Sequence, residues 1–318
     1  MSGRRHALVT GILGFCGQHL AADLLEAGYR VSGLDAADAP SPHQAEVCVG
    51  DIRDLPWLAD VLARLKPTHL FHLAALTNPQ AGWDGLYDVN VRGTVQLLEA
   101  VRIASLDPVI VVAGSSAVYG AVRESELPIG EDQPFRPRNA YAVSKAAQEL
   151  LAYSYYARFG QRVVRARPFN LTGPGEAPGF VVSAFAQQIA RIEAGLQAPI
   201  VEVGNLDSVR DFVDVRDTAR AYRLLGEQGR PGEVYNICSG SATVIRQLLE
   251  ALLSLSHLTP IEVLPVASRM QPADVPVQVG SAERLRRATA WQPEIDLHKT
   301  LSDALESWRR KFPPRSER

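Results

Sequence analysis

The sequence predicts an α/β fold built on a doubly wound parallel sheet, with a smaller, discontinuous C-terminal α/β lobe. Three observations carry this. Apolar strand-like runs alternate with stretches of helical period through about residue 170, the order that parallel strands with helical crossovers produce. A glycine-rich turn, Gly11 to Gly17, stands between the first strand-like run and the first helical stretch. Beyond residue 170 the alternation fails in a loop crowded with Gly173, Pro174, Gly175, Pro178 and Gly179, which marks a change of domain.

The first strand is HALVT (6–10), and the first helical pattern covers 18–27. YRVSGLD (29–35) is the second strand, DLPWLADVLARLK (54–66) a helix and THLFHLAA (68–75) a strand. A helix at 90–104, the strand PVIVVAGSS (108–116), a helix at 140–159 and the strand QRVVRARPFN (161–170) complete the alternating part. The buried-looking run EVYNICSG (233–240) returns one strand to the sheet after the excursion. A helix from about 242, a strand near 261–264 and an amphipathic helix at 297–310 finish the chain. One domain therefore comprises residues 1–170 with about 212–240, and the second lobe about 171–211 with 241–318.

Composition narrows the function classes. Of 318 residues, 46% are hydrophobic and 21% charged, as in ordinary globular chains. A net charge of −2 gives no electrostatic footprint for nucleic acid or anionic membrane. No run approaches the length of a membrane span. Cys16, Cys48 and Cys238 are far apart and lack metal-ligand spacing, so neither a disulfide framework nor a metal site is expected. The apolar run after Arg5 is broken at Gly11, too early for a signal peptide, and a reduced, cytoplasmic setting is expected.

Three motifs carry chemistry. In Gly11-Ile12-Leu13-Gly14-Phe15-Cys16-Gly17, glycines allow a tight turn and let backbone N–H groups approach a pyrophosphate at a helix N-terminus. The second strand ends in Asp35, 18 residues after Gly17, near the spacing of about 20 expected for an acid that binds adenosine ribose hydroxyls. The sheet is thus Rossmann-type and binds a nicotinamide dinucleotide. No cation follows Asp35 before Arg53, so NAD(H) is favoured over NADP(H), which stays possible. Two further strand ends join the cofactor site: Asp51-Ile52 beside the adenine, and Leu73-Ala74-Ala75 where small residues let the dinucleotide pass.

The second motif is Tyr141-Ala142-Val143-Ser144-Lys145. With nine tyrosines and four lysines in the chain, chance placement of a Tyr four residues before a Lys is a rare event. On a helix the two share a face, and the ammonium should lower the phenol pKa and fit it for proton exchange near neutral pH. The third motif, Gly114-Ser115-Ser116, follows a strand and offers hydroxyls to the same reacting oxygen.

These residues, in this order, make the sequence resemble the extended short-chain dehydrogenase/reductase family acting on nucleotide sugars. The resemblance implies that Ser115, Tyr141 and Lys145 are catalytic: Tyr141 as acid/base, Lys145 on the nicotinamide ribose, Ser115 positioning the reacting oxygen. Pro168-Phe169-Asn170 looks like the segment beside the nicotinamide, with Phe169 against the cofactor and Asn170 toward substrate. RPFNLTGPGEAPGFVVSAFAQQI, VGNLDSVRDFVDVRD and PADVPVQVGS look most like GDP-4-keto-6-deoxy-D-mannose reductases and GDP-mannose 4,6-dehydratases. By that likeness Arg210 binds the substrate diphosphate and Asp274 the nucleotide ribose, while Gln271 stands where the family carries an Arg, two residues after Arg269. Ser115 and Ser116 also face substrate.

The dehydratases carry a glutamate two residues before the Tyr of a Tyr-Gly pair, and that position here is Ala117, which cannot transfer a proton. The reading is therefore a nucleotide-sugar 4-ketoreductase that forms GDP-D-rhamnose from GDP-4-keto-6-deoxy-D-mannose. A 4-epimerase or 4,6-dehydratase of the same family is the enzymatic alternative, and a non-catalytic dinucleotide-binding regulator the alternative from another class. The family's corresponding helices pair across a two-fold, so a homodimer through the Asn90 and Tyr141 helices is expected.

Overall fold

The computed structural model describes residues 5–41, 43, 45–77, 81–270 and 275–313. Six strands come first: β1 (His6–Thr10), β2 (Arg30–Asp35), β3 (Glu46–Val49), β4 (His69–His72), β5 (Val109–Ala113) and β6 (Arg162–Pro168). Four short strands follow, β7 (Asn170–Thr172), β8 (Ile200–Val203), β9 (Val209–Arg210) and β10 (Phe212–Asp214), before β11 (Val234–Ile237). The last are β12 (Thr243–Val244), β13 (Glu262–Pro265) and β14 (Val277–Gln278). The main sheet is parallel throughout, in the order β11-β6-β5-β4-β1-β2-β3. That is the Rossmann order, which reverses direction between β1 and β4 and opens a crevice at their carboxyl ends. The strand expected at 233–240 is β11, at the edge of the sheet beside β6.

The helices are α1 (Phe15–Glu26), α2 (Leu55–Leu65), α3 (Gly82–Leu86), α4 (Gly93–Ile103), α5 (Ala140–Phe159), α6 (Val181–Glu193), α7 (Val215–Gln228), α8 (Ile245–Ser254), α9 (Glu283–Thr289) and α10 (Leu297–Arg309). Successive strand residues face opposite sides of a sheet, and both sides are apolar here. Ala7 and Val9 of β1 pack with Leu20 and Leu24 of α1 and with Tyr222 and Leu225 of α7. Leu8, between them, packs with Leu58 and Leu62 of α2, Leu97 and Val101 of α4, and Ala152 of α5. A third apolar cluster joins α6, α8, α10 and β8.

Three differences from the sequence expectation have physical causes. β3 was not among the expected strands, because EVCV is only four residues long and lies at the sheet edge with Glu46 and Val49 exposed. The helix expected at 90–104 starts at Gly82 and passes through a wider π-helical stretch, Tyr87–Arg92. Such a turn shifts the phase of the apolar stripe and hides the upstream part from a 3.6-residue reading. α1 begins at Phe15, since the glycine turn feeds the helix directly with Gly14 as its cap.

Candidate functional site

The glycine turn is dictated by close packing. Gly11 leaves β1 with φ 72° and donates its N–H to Leu34 O at 2.7 Å. A Cβ there would stand 3.0 Å from the backbone of Ala74, and one on Gly17 would stand 2.1 Å from Gly11 O. The start of α1 is thus pressed against the end of β1, with its first N–H groups facing the crevice. Asp35, at the end of β2, accepts from Leu13 N (2.9 Å) and Ala37 N (3.1 Å), tying the turn to the second strand.

A cavity of about 370 Å³ runs along these strand ends. Gly11, Gly14, Leu73, Ala74 and Ala75 line one part, and Asp35, Asp51 and Ile52 another. Sequence reasoning missed Trp57 and Arg53, which also line it. The Trp57 ring packs on Gly50, where a Cβ would enter it, a contact that only the fold reveals. Arg53 grips Asp51 through Nε (2.9 Å to Oδ1) and a terminal nitrogen (2.6 Å to Oδ2), and reaches Asp88 at 3.7 Å. Those hydrogen bonds from Arg53 hold the Asp51 carboxyl below its ordinary range. Leu13, Phe15, Cys16 and Gly17 build the turn behind the cavity wall. Phe15 packs edge-on to His19, and burial pushes the Cys16 thiol up to about 12, which keeps it protonated.

Asn139 caps α5 by accepting from Ala142 N (2.8 Å), which sets Tyr141 in the first turn and Lys145 one turn later. The Ser115 hydroxyl hydrogen-bonds Tyr141 and accepts from Ala117 N at 3.2 Å. Lys145 is buried, and its Nζ donates to Ala113 O and Gln148 Oε1, both at 2.8 Å. Burial pushes the Lys145 ammonium down to about 7. Burial also raises the Tyr141 phenol, and the Ser115 hydroxyl, not Lys145, is the group that offsets it. The expected depression of the phenol by the ammonium is therefore overridden, because helical spacing brings the pair near each other but burial acts on each first. Ser116 is buried, and its carbonyl accepts from Gln278 Nε2 (3.0 Å).

Farther along, Asn170 donates through Nδ2 to Asp211 O (2.9 Å). Phe169 is buried against Tyr119, with ring centroids 6.3 Å apart, and is not among the residues lining the cavity. Arg210 is half-buried on β9 and donates to Val209 O at 2.9 Å. Arg269 pairs with Glu202 at 3.3 Å on the exposed side of β8. Gln271 and Asp274 lie outside the described residues. Asp211, which sequence reasoning passed over, is fully buried and accepts from Ser239 N, Ser239 Oγ, Gly240 N and Gly280 N. It stitches the loop after β11 and residue 280 to the β9–β10 junction.

Comparison with known proteins extends this geometry. The pattern of the GDP-mannose 4,6 dehydratase family matches residues 8–304. A GDP-6-deoxy-D-mannose reductase of Pseudomonas aeruginosa is 39% identical over 303 residues, covering 94% of this chain and 96% of the relative. Among solved structures, RMD from Pseudomonas aeruginosa complexed with NADPH superposes with a TM-score of 0.87 at 37% identity, over 96% of this chain and 99% of that one. A UDP-glucose 4-epimerase of Thermus thermophilus in complex with NAD superposes with a TM-score of 0.84 at 29% identity, over 96% and 99%. By the family pattern and the reductase relative, the chain belongs to the GDP-mannose 4,6 dehydratase family of extended short-chain dehydrogenases/reductases.

Proposed function

We propose that the chain is an NAD(P)H-dependent nucleotide-sugar 4-ketoreductase that reduces GDP-4-keto-6-deoxy-D-mannose to GDP-D-rhamnose. One observation carries this choice within the family: the turn that presents Ser115 to Tyr141 has Ala117 on it, where elimination would need a carboxylate. The similarity to a protein named GDP-6-deoxy-D-mannose reductase supports the substrate.

The crevice fits a dinucleotide: Gly11, Gly14, Ala74 and Ala75 leave its wall open at the strand ends, with the Asp35 and Asp51 carboxylates farther along it. Gly11, Gly14 and the first turn of α1 hold its pyrophosphate, with Leu13, Phe15, Cys16 and Gly17 shaping the turn. Asp35 takes the adenosine ribose, Asp51, Ile52 and Trp57 border the adenine, and Leu73, Ala74 and Ala75 flank the path toward the nicotinamide. When bound, the reduced dinucleotide supplies the hydride that C4 of the sugar accepts. Tyr141 holds its proton until the carbonyl oxygen gains negative charge and then transfers it to that oxygen. Ser115 orients the oxygen, and Lys145 favours the phenolate left behind. Asp35 is a carboxylate where a 2′-phosphate would come, which supports NADH as the preferred donor.

In this reading residues 1–170 with about 212–240 bind the dinucleotide, and about 171–211 with 241–318 bind the nucleotide sugar through Asn170, Arg210, Arg269, Gln271 and Asp274. The separate apolar core of α6, α8 and α10 supports that division. The protein acts as a homodimer in the cytoplasm, pairing through the Asn90 and Tyr141 helices: Trp83, Tyr87, Leu150 and Tyr153 are exposed along the helix from Gly82 and along α5.

The test is oxidation of NADH or NADPH with GDP-4-keto-6-deoxy-D-mannose generated in place by a dehydratase, with the product assigned by NMR. Tyr141→Phe should lower turnover by about 10²–10⁴-fold. Turnover of a nucleotide sugar without added NAD(P)H, from tightly held NAD, would instead identify an epimerase.

A further inference from the structure

Lys145 does not stand alone beneath the candidate site. It is the near end of a hydrogen-bonded chain of buried polar side chains that crosses from α5 through α4 and β4 to the cofactor turn. Gln148, Thr94, His72, Thr10 and Asn90 are all essentially without solvent exposure. Lys145 Nζ donates to Gln148 Oε1 (2.8 Å), and Gln148 Nε2 donates to Thr94 Oγ1 (3.0 Å). Thr94 Oγ1 donates to Asn90 O (2.7 Å) and lies 2.8 Å from His72 Nε2. His72 Nδ1 lies 2.8 Å from Thr10 Oγ1, which accepts from Ala74 N at 3.1 Å.

The protons in this chain can be assigned by counting. A threonine hydroxyl has one proton, and that of Thr94 goes to the Asn90 carbonyl. Every other contact to Thr94 Oγ1 must then be a donor: the Gln148 amide and the His72 Nε2–H. His72 is left with a bare Nδ1 that accepts the Thr10 hydroxyl, whose oxygen takes the Ala74 N–H. This is the neutral imidazole that burial, with the nearby Lys145 charge, enforces by pushing its pKa down to about 3. With its nitrogen committed to Thr94, the Gln148 side chain can only turn its oxygen to Lys145.

We propose that Gln148 is a positioning residue for the proton-transfer site: it fixes the Lys145 ammonium beside Tyr141 with a neutral oxygen, and Thr94 and His72 lock it in that orientation. The inference rests on the reading of Tyr141 as the acid of the site. Neutrality is the point of an amide here. A carboxylate would hold the ammonium more firmly but cancel its field at Tyr141, and an apolar side chain would leave a buried cation with the Ala113 carbonyl alone. The carboxylate that follows on the helix, Glu149, is turned away and gripped by Arg165 (3.2 Å) and Arg167 (2.6 Å) of β6. The other titratable groups around the pair are His72 of β4, neutral as argued, and Tyr222 of α7 and Cys16 of α1, both pushed upward by burial and so uncharged. β5 contributes only the Ala113 carbonyl.

The test reads Lys145 directly, by NMR titration of its labelled side-chain amine as the difference between each chain and the same chain carrying Lys145→Met. Gln148→Met keeps the side-chain length but removes the acceptor, and Gln148→Glu keeps the acceptor but adds a charge, so a folding failure of the first leaves the second. The first should lower the midpoint of the Lys145 titration by about one pH unit, because the buried cation loses an acceptor, and the second should raise it by about as much, because a carboxylate replaces a neutral oxygen. The turnover number should fall about tenfold in each, the first because less ammonium is present and the second because its field at the developing phenolate is cancelled. A Lys145 midpoint unchanged from that of the native chain in either folded variant overturns the proposal and leaves Gln148 as core packing. The titration needs no sugar, so the expected shifts in a chain that reduces no ketose would sink the ketoreductase reading and leave this one standing.

Discussion

The preference for NADH follows from one carboxylate, and Asp35→Asn tests it. Asp35 sits at the end of β2 with its two oxygens accepting from Leu13 N and Ala37 N. A phosphate on the adenosine 2′-oxygen would come within roughly 5 Å of it, where two unit charges at an effective dielectric of about 20 repel by roughly 3 kcal/mol. Asp35 is only half-buried, and salt screens part of this. A working figure of about 1.5–2.5 kcal/mol corresponds to roughly 10- to 70-fold in affinity. The nearest cation on the cavity wall, Arg53, is held two-pronged by Asp51 and does not offset the carboxylate. Asparagine removes the charge and one of the two backbone acceptor contacts, a loss of about 1 kcal/mol that weakens both cofactors alike. The quantity to measure is therefore the ratio of NADPH to NADH dissociation constants, by quenching of protein fluorescence at fixed ionic strength. That ratio should favour NADH about tenfold or more in the native chain and collapse toward unity in Asp35→Asn. A native preference for NADPH, the cofactor complexed with the Pseudomonas aeruginosa RMD, or a ratio that Asp35→Asn leaves in place, would refute the reasoning.

Two further expectations rest on single contacts. Gly17→Ala places a Cβ 2.1 Å from Gly11 O and 2.8 Å from Ile12 backbone atoms; the start of α1 must move, at a cost of about 1–3 kcal/mol, and melting temperature and NADH affinity should fall together. Affinity unchanged in a folded Gly17→Ala chain would mean that the turn does not hold the dinucleotide. Glu176 is buried, and its carboxyl is pushed up to about 8 from an ordinary 4.5, although Thr172 donates to it. Its folded-state pKa is raised, so the native chain binds the proton more tightly than the unfolded one. This stabilisation is whole below about pH 4.5 and is lost as pH rises toward 8. Melting temperature should therefore drop from pH 5 to pH 8 in the native chain more than in Glu176→Gln, and parallel curves for the two would contradict that assignment.

Local constraints were legible in the sequence, and tertiary ones were not. α5 was read to its ends because Asn139 caps it and Gly160, at φ 70°, stops it. The glycine turn was legible because its requirement is steric and acts between near neighbours, Gly11 O and Gly17. Phe169 was expected beside the nicotinamide from its place next to Asn170. Its N–H pairs with Ile237 O on the neighbouring strand β11, and the ring turns into the core. Trp57, Thr94, His72 and Gln148 carried no signal, since each reads as an ordinary helix or strand residue until the sheet order sets β4 beside β1 and α4 against α5.

The Tyr141–Lys145 pair shows why spacing alone gives a wrong sign. Two residues one turn apart invite a simple Coulomb argument, cation lowers phenol, that holds if both sit in one uniform medium. Here Lys145 is buried deeply enough to bring its pKa down to about 7, and the phenol rises. For a proton donor this arrangement is the better one. An acid that is to protonate a carbonyl oxygen should keep its proton until that oxygen becomes basic, and a phenol raised by burial does so at neutral pH. The cation matters later, as negative charge gathers on Tyr141, and its stabilisation is largest when its oxygen partners are already oriented. Ala113 O and Gln148 Oε1 meet that condition, the first fixed by the sheet and the second by the hydroxyl of Thr94.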